Sequence, residues 1–87
     1  MGLETVEIVI WAEEEFGVPM PDEEVGLIFT VGDFADYIAN KVNQEHGTNI
    51  DSSITLPKIL IYLEEQHEIE PEKVTLSSRF VEDLGFG

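Results

Sequence analysis

Apolar and polar positions alternate with helical spacing in three runs of the chain, and the stretches between those runs lack any period. The first run, Leu3 to Phe16, has no proline, carries strong helix formers at its glutamates and Ala12, and is followed by Gly17 where a helix stop is expected, so it predicts a helix. At ~100° per residue, Thr5, Val6, Ile8, Val9, Ala12 and Phe16 fall in one sector, the expected core face. Leu3 and Ile10 lie beyond it beside Glu7 and Glu14, and Trp11 lies farther round beside Glu4. An outer helix face that interleaves large apolar groups with carboxylates has the makings of a docking surface for a basic partner. A short bundle helix with a ragged apolar face would carry the same pattern.

Two prolines and a glycine make Gly17 to Pro21 a loop, with Val18 and Met20 turned inward. Asp22 is placed to cap a short helical segment over Glu23 to Ile28, which Gly26 weakens. Leu27, Ile28 and Phe29 are more apolar surface than one small face hides, so part of that run should border a pocket or the solvent. Thr30 caps the second run, with Asp33 completing a capping box, and Val31, Phe34, Ala35, Ile38 and Val42 form one buried stripe in a helix ending near Gln44. Glu45 to Ser53 is polar, small and aperiodic, the profile of a surface connection or an introduced linker. Thr55 is placed to cap the third run, Leu56 to Gln66, with Pro57 in its first turn. Leu56, Ile59, Leu60 and Leu63, widened by Ile61 and Tyr62, predict the most buried helix of the set. Beyond His67 comes a loop anchored by Ile69, Val74 and Leu76, then a turn from Arg79 to Leu84 capped by Ser77 or Ser78. The expected architecture is all-α, a small antiparallel bundle of three longer helices and one short one.

The chain's 87 residues suit one domain with a modest core, and a hydrophobic fraction of 43% is that of a folded protein. Nineteen Asp and Glu against four Lys and Arg, a net charge of −15, work against nucleic acid and anionic membranes, which need Lys and Arg to displace counterions. Basic proteins are the expected partners, with weak, diffuse binding of divalent cations. Without cysteine there is no disulfide, thiolate metal site or thiol nucleophile. Neither a signal peptide nor a run of ~18 apolar residues stands out, so the expectation is a cytoplasmic protein.

Read as a ring, the end of the chain meets its beginning as Ser78-Arg79-Phe80-Val81-Glu82-Asp83-Leu84-Gly85-Phe86-Gly87, then Met1-Gly2-Leu3-Glu4-Thr5-Val6-Glu7. This resembles the acyl carrier protein family, whose signature F-x-x-D-L-G-x-D-S-L-(D/E)-x-V-E opens the family's second helix. The likeness continues through Glu13 to Gly17, Pro21 to Glu24 and Thr30 to Ile38, while Leu56 to Thr75 is similar to the family's first helix and the loop after it. The order is circularly permuted. Family helices two to four fall at 1–45, a connection between the family's own ends at 46–54, and the first helix with its loop at 55–87.

The resemblance implies a carrier of acyl intermediates in fatty-acid, polyketide or related lipid synthesis, holding them on 4'-phosphopantetheine attached to a serine. Gly2 stands at that serine's position and has no hydroxyl, so the resemblance implies an apo-only protein with no cofactor as written. Leu3, Glu4, Glu7, Ile10, Trp11 and Glu14 correspond to the face that basic patches of acyl-transfer and synthase enzymes recognise, although the family often has a small residue where Trp11 stands. Val6, Ala12, Met20, Val25, Ile28, Phe34, Phe80 and Val81 correspond to the lining of the acyl pocket; a plain hydrophobic core would use the same residues.

Asp51-Ser52 precedes a helix, yet Ser53 and Ile54 do not supply the leucine and acidic residue of an attachment motif. His46 and His67 stand alone at helix ends, and no spaced D-x-D-x-D-G loop occurs, so no metal site is expected. No catalytic triad order, phosphate-binding glycine loop or carboxylate pair stands out, and an enzyme is not expected. An acidic interaction module or an engineered permuted scaffold is the alternative, and either could be a monomer or a dimer with exchanged helices.

Overall fold

The computed structural model describes residues 3–86, with side chains from residue 4 onward. Its elements are α1 (Leu3–Phe16), α2 (Asp22–Val25), α3 (Val31–His46), α4 (Ser52–His67) and a 3₁₀ turn, Pro71–Lys73. The described residues contain no strand beyond one isolated antiparallel bridge between Thr30 and Arg79. The all-α bundle is therefore as expected.

The capping box forms as its residues predict. The Thr30 hydroxyl oxygen accepts from the Asp33 backbone N–H at 3.0 Å, and the Asp33 carboxylate accepts from the Thr30 N–H at 3.3 Å. The other exposed donors of this helix end go to the C-terminal loop. Val31 N–H donates to the Ser78 carbonyl at 2.9 Å and Gly32 N–H to the Leu76 carbonyl at 2.8 Å, while Phe80 N–H returns a bond to the Phe29 carbonyl at 3.0 Å. A helix start whose donors would otherwise be orphaned thus ties residues 76–80 onto the bundle. Ser78 consequently does not cap a turn over 79–84: it is buried, and its side chain accepts from the Thr75 N–H at 2.9 Å.

α4 begins four residues earlier than the spacing predicts. Asp51 is its cap, accepting from the Ser53 N–H at 2.9 Å, so Pro57 lies inside the helix rather than in its first turn. Thr55 is fully buried and its hydroxyl donates to the Ala35 carbonyl of α3 at 2.7 Å. α2 is also shifted: Pro21 precedes it without a side-chain cap, and Asp22 is its first helical residue.

The most buried helix is α3, not α4. Val31, Phe34, Ala35, Ile38, Ala39 and Val42 are all buried in α3, whereas α4 buries Thr55, Ile59, Tyr62 and Leu63 and leaves Ile54 and Ile61 half in solvent. α3 is central because α4, α1 and the C-terminal loop all pack on it. The core they share includes Ile8, Val9 and Ala12 of α1, Phe34 and Ile38 of α3, Ile59 and Leu63 of α4, and Phe80 and Phe86. Each large apolar side chain so enclosed contributes roughly 1.5–3 kcal/mol.

Residues 47–51 form a built connection. Gly47 closes α3 in the left-handed region at φ 67°. The Asn43 amide then clasps the loop, accepting from Ile50 N–H and the Thr48 hydroxyl at 2.8 Å each and donating to the Ile50 carbonyl at 2.9 Å.

Candidate functional site

α1 presents two different faces. Glu7, Ile10 and Glu14 are exposed, with Ile10 48% accessible, and Glu4 is half-buried. These are the outer-face residues expected from the helical period. Trp11 is not among them. Its ring stacks on Tyr62 of α4 with centroids 4.7 Å apart and meets the edge of Phe16 at 5.9 Å, leaving it half-buried between helices. At ~20° from Glu4 on the helical wheel it stands on the flank toward α4, where an indole buries apolar area by stacking. Gly2 and the side chain of Leu3 lie outside the described residues.

Val6 departs in the opposite direction, at 38% exposed rather than on the core face, because the core is centred on Ile8, Val9 and Ala12. It borders neither of the two cavities at the α1–α2 end of the molecule. The larger is a cleft of about 330 Å³ lined by Thr5 from α1, by Val25, Gly26, Ile28 and Phe29, and by Arg79 to Glu82. Beneath it a cavity of about 20 Å³ shares Thr5, Val25, Ile28 and Phe80 with the cleft and adds Ile8, Val9 and Phe34. The cleft reaches the lower end of small-molecule site sizes, whereas the inner cavity has room for about one water.

Of the expected pocket lining, Val25, Ile28, Phe80 and Val81 meet in the cleft and Phe34 joins them below it. Ala12 and Met20 are buried in the core and line neither. Phe29 and the Arg79–Glu82 pair were not expected in the lining. The signal for Phe29 was the unhidden apolar run Leu27-Ile28-Phe29, now 76% and 62% exposed at its ends. Arg79 and Glu82 arrive through the bridge to Thr30, which no local pattern reveals.

Among the described residues the cleft holds one cation, and it is paired. Arg79 Nη1 donates to the Glu82 carboxylate at 2.7 Å, a bond that raises the guanidinium further above its ordinary range. On the far side of α2 the Tyr37 hydroxyl donates to Glu24 at 2.6 Å, and Lys41 Nζ lies 3.3 Å from the same carboxylate. The Tyr37 bond is the main cause holding Glu24 below the usual carboxylate range, while burial, and then Glu24 itself, pushes the Tyr37 phenol up. This clasp holds α2, one wall of the cleft, against α3. Lys58 pairs with Glu15 at 3.5 Å and Lys73 with Glu70 at 3.6 Å, so all four Lys and Arg side chains are engaged by glutamates. What remains of the surface charge is negative.

Among the described residues no cluster of three or more His, Asp or Glu could hold a metal ion, and no helix is long and apolar enough to cross a membrane. No serine lines the cleft: Ser52 and Ser53 open α4, and Ser77 and Ser78 lie in the C-terminal loop. Thr5 supplies the one hydroxyl in its wall.

The acyl carrier protein of Acidothermus cellulolyticus is 60% identical to this chain over 39 residues, 45% of this chain and 46% of that one. The acyl carrier protein of Thermosynechococcus vestitus is 52% identical over 41 residues, 47% of this chain and 51% of its own length. Over that stretch the chain is a relative of the acyl carrier proteins. It spans about half the length of the curated relatives it matches. No family model and no solved structure matches the chain. The all-helical fold is consistent with that relationship.

Proposed function

We propose that this is an acyl-carrier-type domain with its segments in permuted order, that it stays unmodified because Gly2 replaces the attachment serine, and that it acts without catalysis through its acidic α1 face. The observation that carries the proposal is the match at 52–60% identity to proteins named acyl carrier protein. That the match ends at about half of each chain supports the permuted order, since a linear comparison aligns only one of two exchanged segments. The shared cleft supports it too, because Thr5 and the Phe80–Glu82 loop line one cavity although they stand at opposite ends of the chain.

The residues present do not fit attached phosphopantetheine. The position that should supply a nucleophilic oxygen is glycine, and no serine lines the cleft. What the domain retains is recognition: Glu7, Ile10 and Glu14 offer carboxylates and an apolar contact to a basic enzyme surface, in the manner of a carrier domain presented to an acyl-transfer or synthase enzyme.

A second reading, an interaction module with no acyl role, is favoured by Leu27, Phe29, Leu76 and Val81, all more than half exposed. One experiment separates the two. A phosphopantetheinyl transferase supplied with coenzyme A leaves the mass of the chain unchanged, whereas a chain in which Phe86 is joined to Leu3 through Asp-Ser and reopened within 47–51 gains one phosphopantetheine at the new serine. Modification of the original chain would place the site elsewhere. A folded but unmodified rejoined chain would leave only the interaction module standing.

A further inference from the structure

Among the described residues, one buried side-chain nitrogen has no hydrogen-bond partner: Nε2 of His67, the last residue of α4. Buried polar atoms are paired in nearly all native structures, so an orphan of this kind calls for an explanation. Its imidazole is held between two rings, with centroids 5.4 Å from Tyr62 and 4.8 Å from Phe86. Phe86 is itself buried and lies 5.4 Å from Phe80, which lines both the cleft beside α2 and the small cavity under it. Phe86 is turned inward by Gly85, at φ 75°, a conformation that glycine adopts without strain, and is tied by one backbone bond, from its N–H to the Phe80 carbonyl at 2.9 Å. His67 therefore stands behind the aromatic wall of the cleft.

We propose that His67 is a proton-operated latch: neutral, it holds Phe86 against Phe80, and protonated, it lets residues 84–86 swing away and widens the cleft. A neutral ring tolerates the site by carrying its one proton on Nδ1, whereas an imidazolium carries a second N–H at Nε2, where nothing accepts it. A charged donor left buried and unpaired costs more than contact with aromatic rings returns. The charged groups around this end of α4 are Glu64 and Glu68 on the helix and its cap, Glu4 and Glu7 on the flank of α1 toward α4, Glu70 and Lys73 beside the 3₁₀ turn, and Glu82 and Asp83 in the C-terminal loop. None of them hydrogen-bonds Nε2 in its buried position. Glu64, Glu68 and Asp83 are exposed, so an imidazolium that leaves the rings meets negative charge at the surface. Both effects make the proton bind the open form more tightly than the closed one, and acid therefore opens the latch. The latch is independent of the carrier reading, since it uses neither the position of Gly2 nor the outer face of α1.

The test uses the chain as it stands, compared at about pH 7.5 and about pH 5.5, on either side of the ordinary imidazole range. Hydrogen-exchange protection of the Phe86 amide, corrected for the intrinsic exchange rate at each pH, falls by about five- to tenfold on acidification, about tenfold being the ceiling for an imidazole that titrates near about 6.5 and takes up its proton only in the open form. Amides in the middle of α3 keep their protection, which separates local opening from unfolding. His67→Leu, which fills the site without a titrating group, abolishes the pH dependence at Phe86. Should that variant lose its helix content, imidazole NMR on the parent decides instead: the Phe80 and Phe86 ring signals shift with the titration of His67 and not with that of His46, the only other histidine. Protection at Phe86 that is the same at both pH values, or a pH dependence that persists in a folded His67→Leu or follows His46, overturns the latch.

Discussion

The Thr55 hydroxyl of α4 donates to the Ala35 carbonyl of α3 at 2.7 Å in a fully buried contact. It is a tie between the two helices that share the largest packing interface. A valine at this position keeps the shape and removes the bond, while the Ala35 carbonyl keeps its helical position. Thr55→Val should therefore cost about 1 kcal/mol, a fall in Tm of about 4–8 °C for a domain of this size, with unchanged helix content. Asp51→Ala, which removes the actual cap, should cost a similar ~1 kcal/mol by a different route. Chemical denaturation monitored by circular dichroism measures both. If Thr55 were the helix cap, Asp51→Ala would be nearly silent.

Gly32 tests the tie between α3 and the C-terminal loop by the sign of its effect. A Cβ there would stand 2.7 Å from the Leu76 carbonyl oxygen and 3.1 Å from the Leu76 Cβ. Ordinarily glycine to alanine within a helix is stabilising by up to about 1 kcal/mol. Here the clash must be relieved by moving backbone, so Gly32→Ala should be destabilising by about 1–3 kcal/mol. Hydrogen exchange should rise at residues 30–32 and 76–80 before it rises in α4. A stabilised variant would mean that the loop is not held where the 2.8 Å bond from Gly32 N–H places it.

The parts of the fold that could be read from sequence are those fixed by neighbours a few residues away. The Thr30–Asp33 capping box and the Val31-to-Val42 stripe are local patterns, and both appear as predicted. The start of α4 was obscured because Pro57 invites placement in a first turn, although Asp51 followed by Ser-Ser carried a cap signal of its own. Thr55 and Trp11 were misplaced for a different reason. Each is positioned by a partner on another helix, Ala35 and Tyr62, and a helical wheel drawn on one helix holds no information about the next. The cleft was legible in its apolar half, Val25, Ile28 and Phe80, but its charged half depends on the long-range bridge between Thr30 and Arg79.

The Tyr37–Glu24 bond makes a prediction about pH. Tyr37's phenol is raised in the folded protein, chiefly by burial, so its stabilisation is complete below the unfolded phenol's value of about 10 and is lost as pH rises above it. Glu24 is lowered, so its contribution is present above the unfolded carboxylate's value of about 4.3 and is lost as pH falls through the lower folded one. The stability difference between the parent and Tyr37→Phe should therefore form a plateau between those limits and shrink on both sides. Denaturation curves collected across pH measure it. In the same titration the folded protein should show little phenolate absorbance near pH 10, because Tyr62 is also raised, by burial and by Glu7. A normal phenolate titration of both rings would contradict the clasp and the Trp11–Tyr62 packing together.

The charge distribution yields the last prediction. Nineteen acidic residues face four Lys and Arg, and each of those four is already paired with a glutamate, so the net charge of −15 leaves the carboxylates repelling one another. The unfolded chain spreads these charges farther apart, which makes the repulsion a net cost of folding. Screening shortens its reach from about 30 Å at 0.01 M salt to about 8 Å at physiological ionic strength. The four ion pairs also weaken with salt, but they are few and mostly exposed, each worth at most ~1 kcal/mol. Repulsion therefore dominates the balance, and Tm should rise by several degrees from low to physiological salt. Divalent cations should act at lower concentration than sodium, because the same positive charge is gathered with fewer ions, and their effect should be diffuse rather than saturating at one stoichiometric site. Melting curves in sodium chloride and in magnesium chloride at matched ionic strength separate screening from binding. A Tm that stays level or falls with salt would show that the ion pairs, not the excess of negative charge, set the electrostatics of this fold.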